Sequence, residues 1–141
     1  MLSLGLLSFL PAARAAEITA AGGWDKSITA NDLVVPNTAG SELSGSYESG
    51  TAATALDITA TGNWKVTVDR DSWTNNGACL LEVKRSGGDY VEIPAGSSAD
   101  FLIGSNDTSG IDCQYKLSGV STAVSPNRYS TTVTYTVIDE P

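Results

Sequence analysis

The stretch "ALDITATGNWKVTVD", residues 55–69, decides the fold class. In its second half Trp64, Val66 and Val68 alternate with polar residues, which is the period of a β-strand with one buried face. Gly-Asn at 62–63 is a two-residue turn signal between two strand-like runs, and it predicts a hairpin there. The alternation is typical of antiparallel sheets with one face packed on the core and one face in water.

Runs of the same kind recur along the chain, and helical periodicity is nearly absent. Gly, Asn, Ser and Pro turn signals separate them at the spacing of an all-β domain. We therefore predict an antiparallel β-sandwich of immunoglobulin-like or jelly-roll (pilin-like) type, with about seven to nine short strands. The predicted strands include residues 55–60, 63–69, 79–85, 89–93, 99–104, 113–117 and 129–138.

The first 15 residues have the pattern of a signal peptide. An apolar run from Leu2 to Leu10 is followed by Ala13-Arg14-Ala15, which fits the small-x-small rule for cleavage after Ala15. The alternative is that this stretch forms an N-terminal strand or short helix of the folded domain. The predicted organisation is a signal peptide at 1–15, an N-terminal strand segment at 16–35 and a sandwich domain at 36–141. We expect a secreted protein, extracellular or at the cell surface, without a membrane span, because the apolar run is about half the 20 residues that a helix needs to span a bilayer.

Charge and composition exclude several function classes. The formal net charge is −8, and removal of the leader with its Arg14 takes it to −9, so nucleic acid is not an expected partner. The chain has no histidine, which removes the usual general base of serine and cysteine hydrolases. Asp69 and Asp71 begin a calcium-loop pattern, but Trp73 and Thr74 then break it. We predict a non-enzymatic protein without metal or cofactor.

The two cysteines, Cys79 and Cys113, are predicted to form one disulfide. An even number of cysteines in an exported chain favours a bridge. Cys79 shares a strand face with Leu81, and Cys113 shares one with Tyr115, so both thiols are expected on the core side. The alternative is a pair of free buried thiols.

Aromatic residues offer a possible sugar-binding surface, drawn from Trp24, Tyr47, Trp64, Trp73 and Tyr90. Trp64 is in phase with the core residues of its strand, whereas Trp73 lies in a turn region and is the candidate exposed aromatic. Asn106 begins an Asn-Asp-Thr sequon, a possible glycosylation site in a host that has the machinery.

The phrase Ile-Thr-Ala-x-Gly-x-Trp occurs twice, at residues 18–24 and 58–64. Two similar hairpins, or chance, would account for it. The alternative is that the N-terminal segment imitates an internal strand and pairs with an edge of a neighbouring molecule. The loosely alternating run 27–35 could belong to the same donor. The candidate inter-subunit strand comprises Ile18, Ala20, Trp24, Ile28, Ala30, Leu33 and Val35.

The closing run "NRYSTTVTYTVI", residues 127–138, resembles the last strand of bacterial fimbrial subunits and of spore coat protein U-like secreted proteins. The matching residues are Tyr129, Thr131, Val133, Tyr135 and Val137. The resemblance implies a secreted sandwich that polymerises by strand donation. The predicted function is a structural subunit of an extracellular filament or surface layer, with copies of itself as partners. The alternative is a monomeric cell-surface or carbohydrate-binding module with a glycan as partner.

Overall fold

The structure is a computed structural model that describes residues 14–141. Nine antiparallel strands form two sheets within this range, so the predicted all-β sandwich is confirmed. Its finer assignment to an immunoglobulin-like or jelly-roll type stays a prediction. The strands are β1 (Glu17–Gly22), β2 (Ser46–Glu48), β3 (Thr54–Thr59), β4 (Asn63–Arg70), β5 (Leu80–Arg85), β6 (Val91–Glu92), β7 (Ala99–Ser105), β8 (Thr108–Ser118) and β9 (Val133–Glu140).

The larger sheet has the order β1-β3-β8-β5-β6, and β2 pairs with the C-terminal part of β8. The smaller sheet has the order β7-β4-β9, so β4 is its only strand with a partner on each side. As a result β7 and β9 are both edge strands, and each pairs with β4 alone among the described strands. β1 is an edge strand of the larger sheet and contacts β9 of the smaller one.

The core lies between the sheets and is formed by the apolar face of each strand. In β4 the alternation predicted from the sequence is realised, because Trp64, Val66 and Val68 are buried while Asn63 and Lys65 are more exposed. The hairpin predicted at 62–63 is wrong, because the turn there carries the chain from β3 in one sheet to β4 in the other. The other buried apolar residues of the core are Leu56, Ile58, Ala60, Leu81, Val83, Ile93, Ile111, Cys113 and Tyr115.

A glycine makes room for the indole of Trp64. Gly104 of β7 is the register partner of Trp64, and a Cβ at this position would lie within 2.8 Å of Trp64 Cε2 and closer still to two other ring carbons. The indole N–H donates to the backbone oxygen of Asn106, at 2.9 Å. Both contacts fix Trp64 under the β7–β8 turn, and its side chain is buried there.

The last strand is shorter than predicted. It begins at Val133 rather than Tyr129, because the preceding residues bond to the loop before β5 instead of to a strand. The backbone N–H of Thr74 donates to Ser130 O at 3.0 Å, and that of Asp71 donates to Thr132 O at 3.1 Å. From Val133 onward the odd-numbered residues are half-buried up to Val137, as their spacing predicts.

Candidate functional site: the β1 edge and the adjoining cleft

The two copies of the repeated phrase meet at their first residues in the larger sheet. Ile18 of β1 is the register partner of Ile58 of β3, and the pairing runs antiparallel through all six residues of β1. Within β1 Ile18 alone is half-buried, while the other five residues are exposed. The N-terminal segment therefore pairs within its own chain, with β3, the strand in which the second copy begins.

β1 ends at a glycine, Gly22, that lies in close contact with the residue before β3. Gly22 has φ +117°, and a Cβ there would collide with the backbone oxygen of Ala53. The next amide, that of Gly23, donates to the same Ala53 oxygen at 2.8 Å. Gly22-Gly23 thus lets the chain leave the strand, since only glycine adopts this φ without strain. It does not form the hairpin predicted from the sequence, because the following residues do not return as a paired strand.

At its other end β1 is linked to the opposite sheet. The backbone N–H of Ala16 donates to both carboxylate oxygens of Asp139 in β9, at 3.1 and 3.3 Å. Ala16 is half-buried and packs against the core. Arg14, two residues earlier, is exposed and pairs with Glu17 at 2.9 Å. This end of β1 therefore bridges the two sheets.

The segment that follows β1, residues 23–45, is irregular, so the strand predicted within 27–35 is wrong. Thr29 caps a single 3₁₀ turn at Ala30–Asp32, and the Asp32 carboxylate accepts the Thr29 N–H in return at 2.8 Å. Lys26 Nζ also reaches Asp32, at 2.6 Å. The hydrogen bond from Lys26 is the main cause that lowers the pKa of Asp32 below its ordinary value. This local capping satisfies the backbone and competes with an extended conformation.

The predicted inter-subunit residues therefore do not share one strand. Ile18 and Ala20 lie in β1, Trp24 and Ile28 are half-buried in the irregular segment, and Leu33 forms an isolated bridge with Leu43. The remaining two, Ala30 and Val35, are exposed. Only β1 itself, with Ile18 as its single half-buried side chain, retains the character of a strand that could be exchanged.

A cleft of about 1270 Å³ opens between the sheets beside β1 and β9. The irregular segment after β1 forms one wall, and residues 120–132 form the other. Its lining includes Trp24, Trp73 and Tyr129. At its floor the Tyr115 hydroxyl bonds to the Tyr135 hydroxyl at 2.7 Å, which ties the two sheets together.

The prediction that Trp73 is exposed is wrong. The side chain is half-buried and packs against the core. Its indole N–H donates to Cys79 O at 2.7 Å, and the guanidinium of Arg70 lies 5.3 Å from the ring centroid. The indole N–H of Trp73 and part of its ring face are therefore already in contact with the protein, because the turn folds back onto the start of β5. Nor do the five aromatics form one platform, since Tyr47 and Trp64 are buried.

The predicted disulfide between Cys79 and Cys113 is also contradicted, because both thiols are free. Cys113 is the register partner of Arg85 in β5, whereas Cys79 precedes β5 by one residue. The two positions are thus six residues apart along the sheet, or about 20 Å at 3.3 Å per residue. A disulfide requires Cα atoms within about 7 Å. Cys113 is buried in the core, whereas Cys79 is half-buried at the opposite end of β5.

No family model matches this chain, and neither the curated proteins nor the solved structures contain a match to it. Among residues 14–141 no helix is long and apolar enough to cross a membrane. Over the same range, no three side chains of the metal-ligating types Cys, His, Asp and Glu come together as a site for an ion. The functional argument therefore rests on the geometry of the chain itself.

Two exposed features lie outside the cleft. Asn106, the sequon residue, is exposed in the β7–β8 turn at φ +57°, and its glycosylation stays a prediction. On the outer face of the smaller sheet, Ile103 of β7 and Ile138 of β9 flank Lys65 of β4 as register partners. Ile103 is 79% exposed and Ile138 is 43% exposed, which is unusual for isoleucine on a sheet edge.

Sequence reasoning missed the residues that join the sheets. Asp139 looks like an ordinary surface acid near the end of the last strand, and nothing in its neighbours points to Ala16. Tyr115 and Tyr135 were recognisable as core-facing by their phase, but their hydroxyl pairing depends on which strands face each other. Such contacts join positions more than a hundred residues apart, or on different sheets, and sequence spacing carries no signal for them.

Proposed function

We propose that this protein is a non-catalytic structural subunit of an extracellular filament or surface layer, and that copies join by exchange of β1. The observation that supports the proposal is that β1 is an edge strand with little buried surface. It pairs with β3 alone among the described strands, and Ile18 is its single half-buried side chain. Elements with few buried apolar contacts open locally at lower free-energy cost than core strands, so β1 is the strand that we expect to be exchanged.

The pairing surface that β1 leaves behind is the same in every copy. β3 is otherwise paired only with β8, so removal of β1 leaves one side of β3 with unpaired N–H and C=O groups. A β1 strand from a second copy would restore the identical register, with Ile18 opposite Ile58. Exchange therefore keeps every contact of β1 with β3 while it converts them from intramolecular to intermolecular.

The connection after β1 is long enough for the exchange. Residues 23–45 separate β1 from β2 and contain one 3₁₀ turn and one isolated bridge. Fully extended, this segment spans up to about 75 Å, more than the diameter of a domain of this size. Reciprocal exchange would produce a closed dimer, whereas head-to-tail exchange does not close and produces a filament. We favour the second because the resemblance of the last strand to fimbrial subunits points to the same assembly.

The proposal is tested by mixing two variants, each with one added cysteine, in a Cys79→Ala background that keeps the buried Cys113. Thr19 and Asp57 are register partners, so Thr19→Cys in one chain and Asp57→Cys in the other lie close only if β1 has been exchanged. We expect the mixed sample to form a disulfide-linked heterodimer under mild oxidation. When both substitutions are in one chain, head-to-tail exchange gives a ladder of covalent oligomers on a non-reducing gel, and reciprocal exchange stops at dimers.

The matched control replaces Asp57→Cys by Asp89→Cys, an exposed position in the turn between β5 and β6. Mixing it with the Thr19→Cys chain should give no specific cross-link. If the Thr19 and Asp57 variants cross-link no better than this control at concentrations where the protein assembles, β1 is not the exchanged element. If the doubly substituted chain forms only an internal bridge, the chain remains monomeric and the filament proposal fails.

One observation favours the alternative of a carbohydrate-binding module. Trp24 and Tyr129 line the open cleft together with several hydroxyl side chains, and aromatic faces beside polar groups suit a sugar ring. Trp73 contributes less, since its N–H is already bonded within the chain. Glycan-array screening of wild type and of Trp24→Ala tests this alternative: a hit lost in the variant supports it, and an array without hits rejects it.

A further inference from the structure

The contact between Ala16 and Asp139 has a consequence that depends on where the chain is cut. In the uncut chain it is an amide N–H donating to a carboxylate at 3.1 and 3.3 Å. Cleavage after Ala15 would turn the same nitrogen into the amino terminus. A protonated amine has three donors and a full positive charge, so the same position would then hold an ion pair with both carboxylate oxygens.

We propose that Asp139 is the receptor for the new amino terminus of Ala16, and that removal of the leader after Ala15 creates a salt bridge that locks β1 to β9. The cut is a hydrolysis by an endopeptidase with small-x-small specificity. Water adds to the Ala15 carbonyl carbon as the C–N bond breaks. Ala15 leaves as a carboxylate, and the Ala16 nitrogen, with the protons supplied by water and solvent, becomes an ammonium group.

The position of Ala16 explains why this cleavage point suits the fold. Ala16 packs against the core and is the last residue before β1, whereas Arg14 and Ala15 are exposed. A cut one residue later would remove the nitrogen that Asp139 accepts from. A cut further upstream would leave that nitrogen as a neutral amide and retain Arg14. The processing site and the carboxylate are therefore matched to within one residue, although they are separated by 123 positions in sequence.

Neighbouring charges leave Asp139 as the specific partner. Glu17 pairs with Arg14 at 2.9 Å in the uncut chain and loses that partner when the leader is removed, so it adds negative charge near the new terminus. Glu140 is engaged with Lys65 at 3.5 Å. On β3, Asp57 accepts the backbone N–H of Gly110 at 2.8 Å. Of these acids, Asp139 is the one whose oxygens already contact the Ala16 nitrogen.

The bridge acts whether β1 stays in its own chain or is exchanged. In the closed monomer it ties the edge of the larger sheet to the edge of the smaller one. In an exchanged assembly the same pair forms between two copies, because Asp139 stays with the receiving sandwich. The inference is thus independent of the proposed function, and a measurement on the monomer tests it without reference to assembly.

The experiment compares chains that begin at Ala16 with a free amine, prepared from a fusion that leaves no extra residue. The pKa of the terminal amine is followed by NMR with a label at Ala16. A carboxylate partner stabilises the ammonium form, so we expect the pKa to lie about half a unit above the ordinary ~7.7–8.0. Asp139→Asn should return it to the ordinary range, and the matched control Asp89→Asn should not change it.

A second measurement uses no substitution of Asp139, so it does not depend on whether Asp139→Asn perturbs the fold. An amine with a raised folded-state pKa contributes stability below its unfolded pKa, and that stability is lost as pH rises through the folded value. The free-amine chain should therefore lose more stability between about pH 8 and pH 9 than the chain with acetylated Ala16, because the buried Cys113 thiol causes the same loss in both chains. An unshifted amine pKa, or identical pH profiles for both chains, would overturn the proposal. So would a secreted protein whose intact mass places its first residue elsewhere than Ala16.

Discussion

Replacement of Gly104 by alanine tests the packing of the core most directly. The added Cβ would overlap three carbons of the Trp64 indole, which is only 3% exposed and cannot move into solvent. Overpacking of this kind costs about 1–3 kcal/mol. Displacement of the ring would also break the hydrogen bond from its N–H to Asn106 O, for about 1 kcal/mol more. We therefore expect Gly104→Ala to lower the free energy of unfolding by about 3 kcal/mol.

The assay is urea unfolding of a double-mutant cycle with Trp64→Phe. A phenyl ring ends short of the outer indole carbons, so in the Trp64→Phe background Gly104→Ala should cost less than about 1 kcal/mol, a coupling of about 2 kcal/mol. Gly62→Ala is the matched control, since a Cβ there meets nothing within 4 Å, and it should change stability by no more than about 0.5 kcal/mol. An equal cost of Gly104→Ala in both backgrounds would refute the reasoning.

Three further predictions concern buried or shielded side chains. Tyr115→Phe removes a buried hydroxyl that bonds to Tyr135 at 2.7 Å and should cost about 1–3 kcal/mol in urea unfolding; a neutral result would mean that the hydroxyl pair does not join the sheets. Mass spectrometry after alkylation should find two free thiols, with Cys113 much slower than Cys79, because burial raises the pKa of Cys113 to about 11; a protected disulfide would contradict the register of β5 and β8. Burial, together with a hydrogen-bonded glutamate, raises the pKa of Tyr90 to about 12, so its stabilising contribution should be complete below pH 10 and lost between about pH 10 and pH 12. Urea unfolding of wild type and of Tyr90→Phe across this pH range measures it; a difference between the two that does not change with pH would contradict it.

Alternating patterns predicted the elements of the fold that depend on local sequence. Val66 and Val68 lie inward because a strand has a period of two, and this holds for any partner strand. The same logic placed Cys113 on the core side correctly. It could not supply the disulfide, since pairing depends on the register of β5 against β8, which local sequence does not encode.

The candidate site was only partly predictable for the same reason. The repeat predicts a strand in the N-terminal segment, and residues 17–22 do form β1, whereas its exchange between molecules stays a prediction. The irregular course after Gly23 was missed, because the reciprocal capping of Thr29 and Asp32 overrides a loose alternation. Asp139 was missed because its partner is the backbone N–H of Ala16, 123 positions away in the sequence.

The central claim is that copies of this chain assemble, and negative-stain electron microscopy of the secreted, undenatured protein tests it most directly. The account predicts regular filaments or an ordered layer whose formation is lost when residues 16–22 are deleted. Dispersed particles of monomer size at high protein concentration would contradict it.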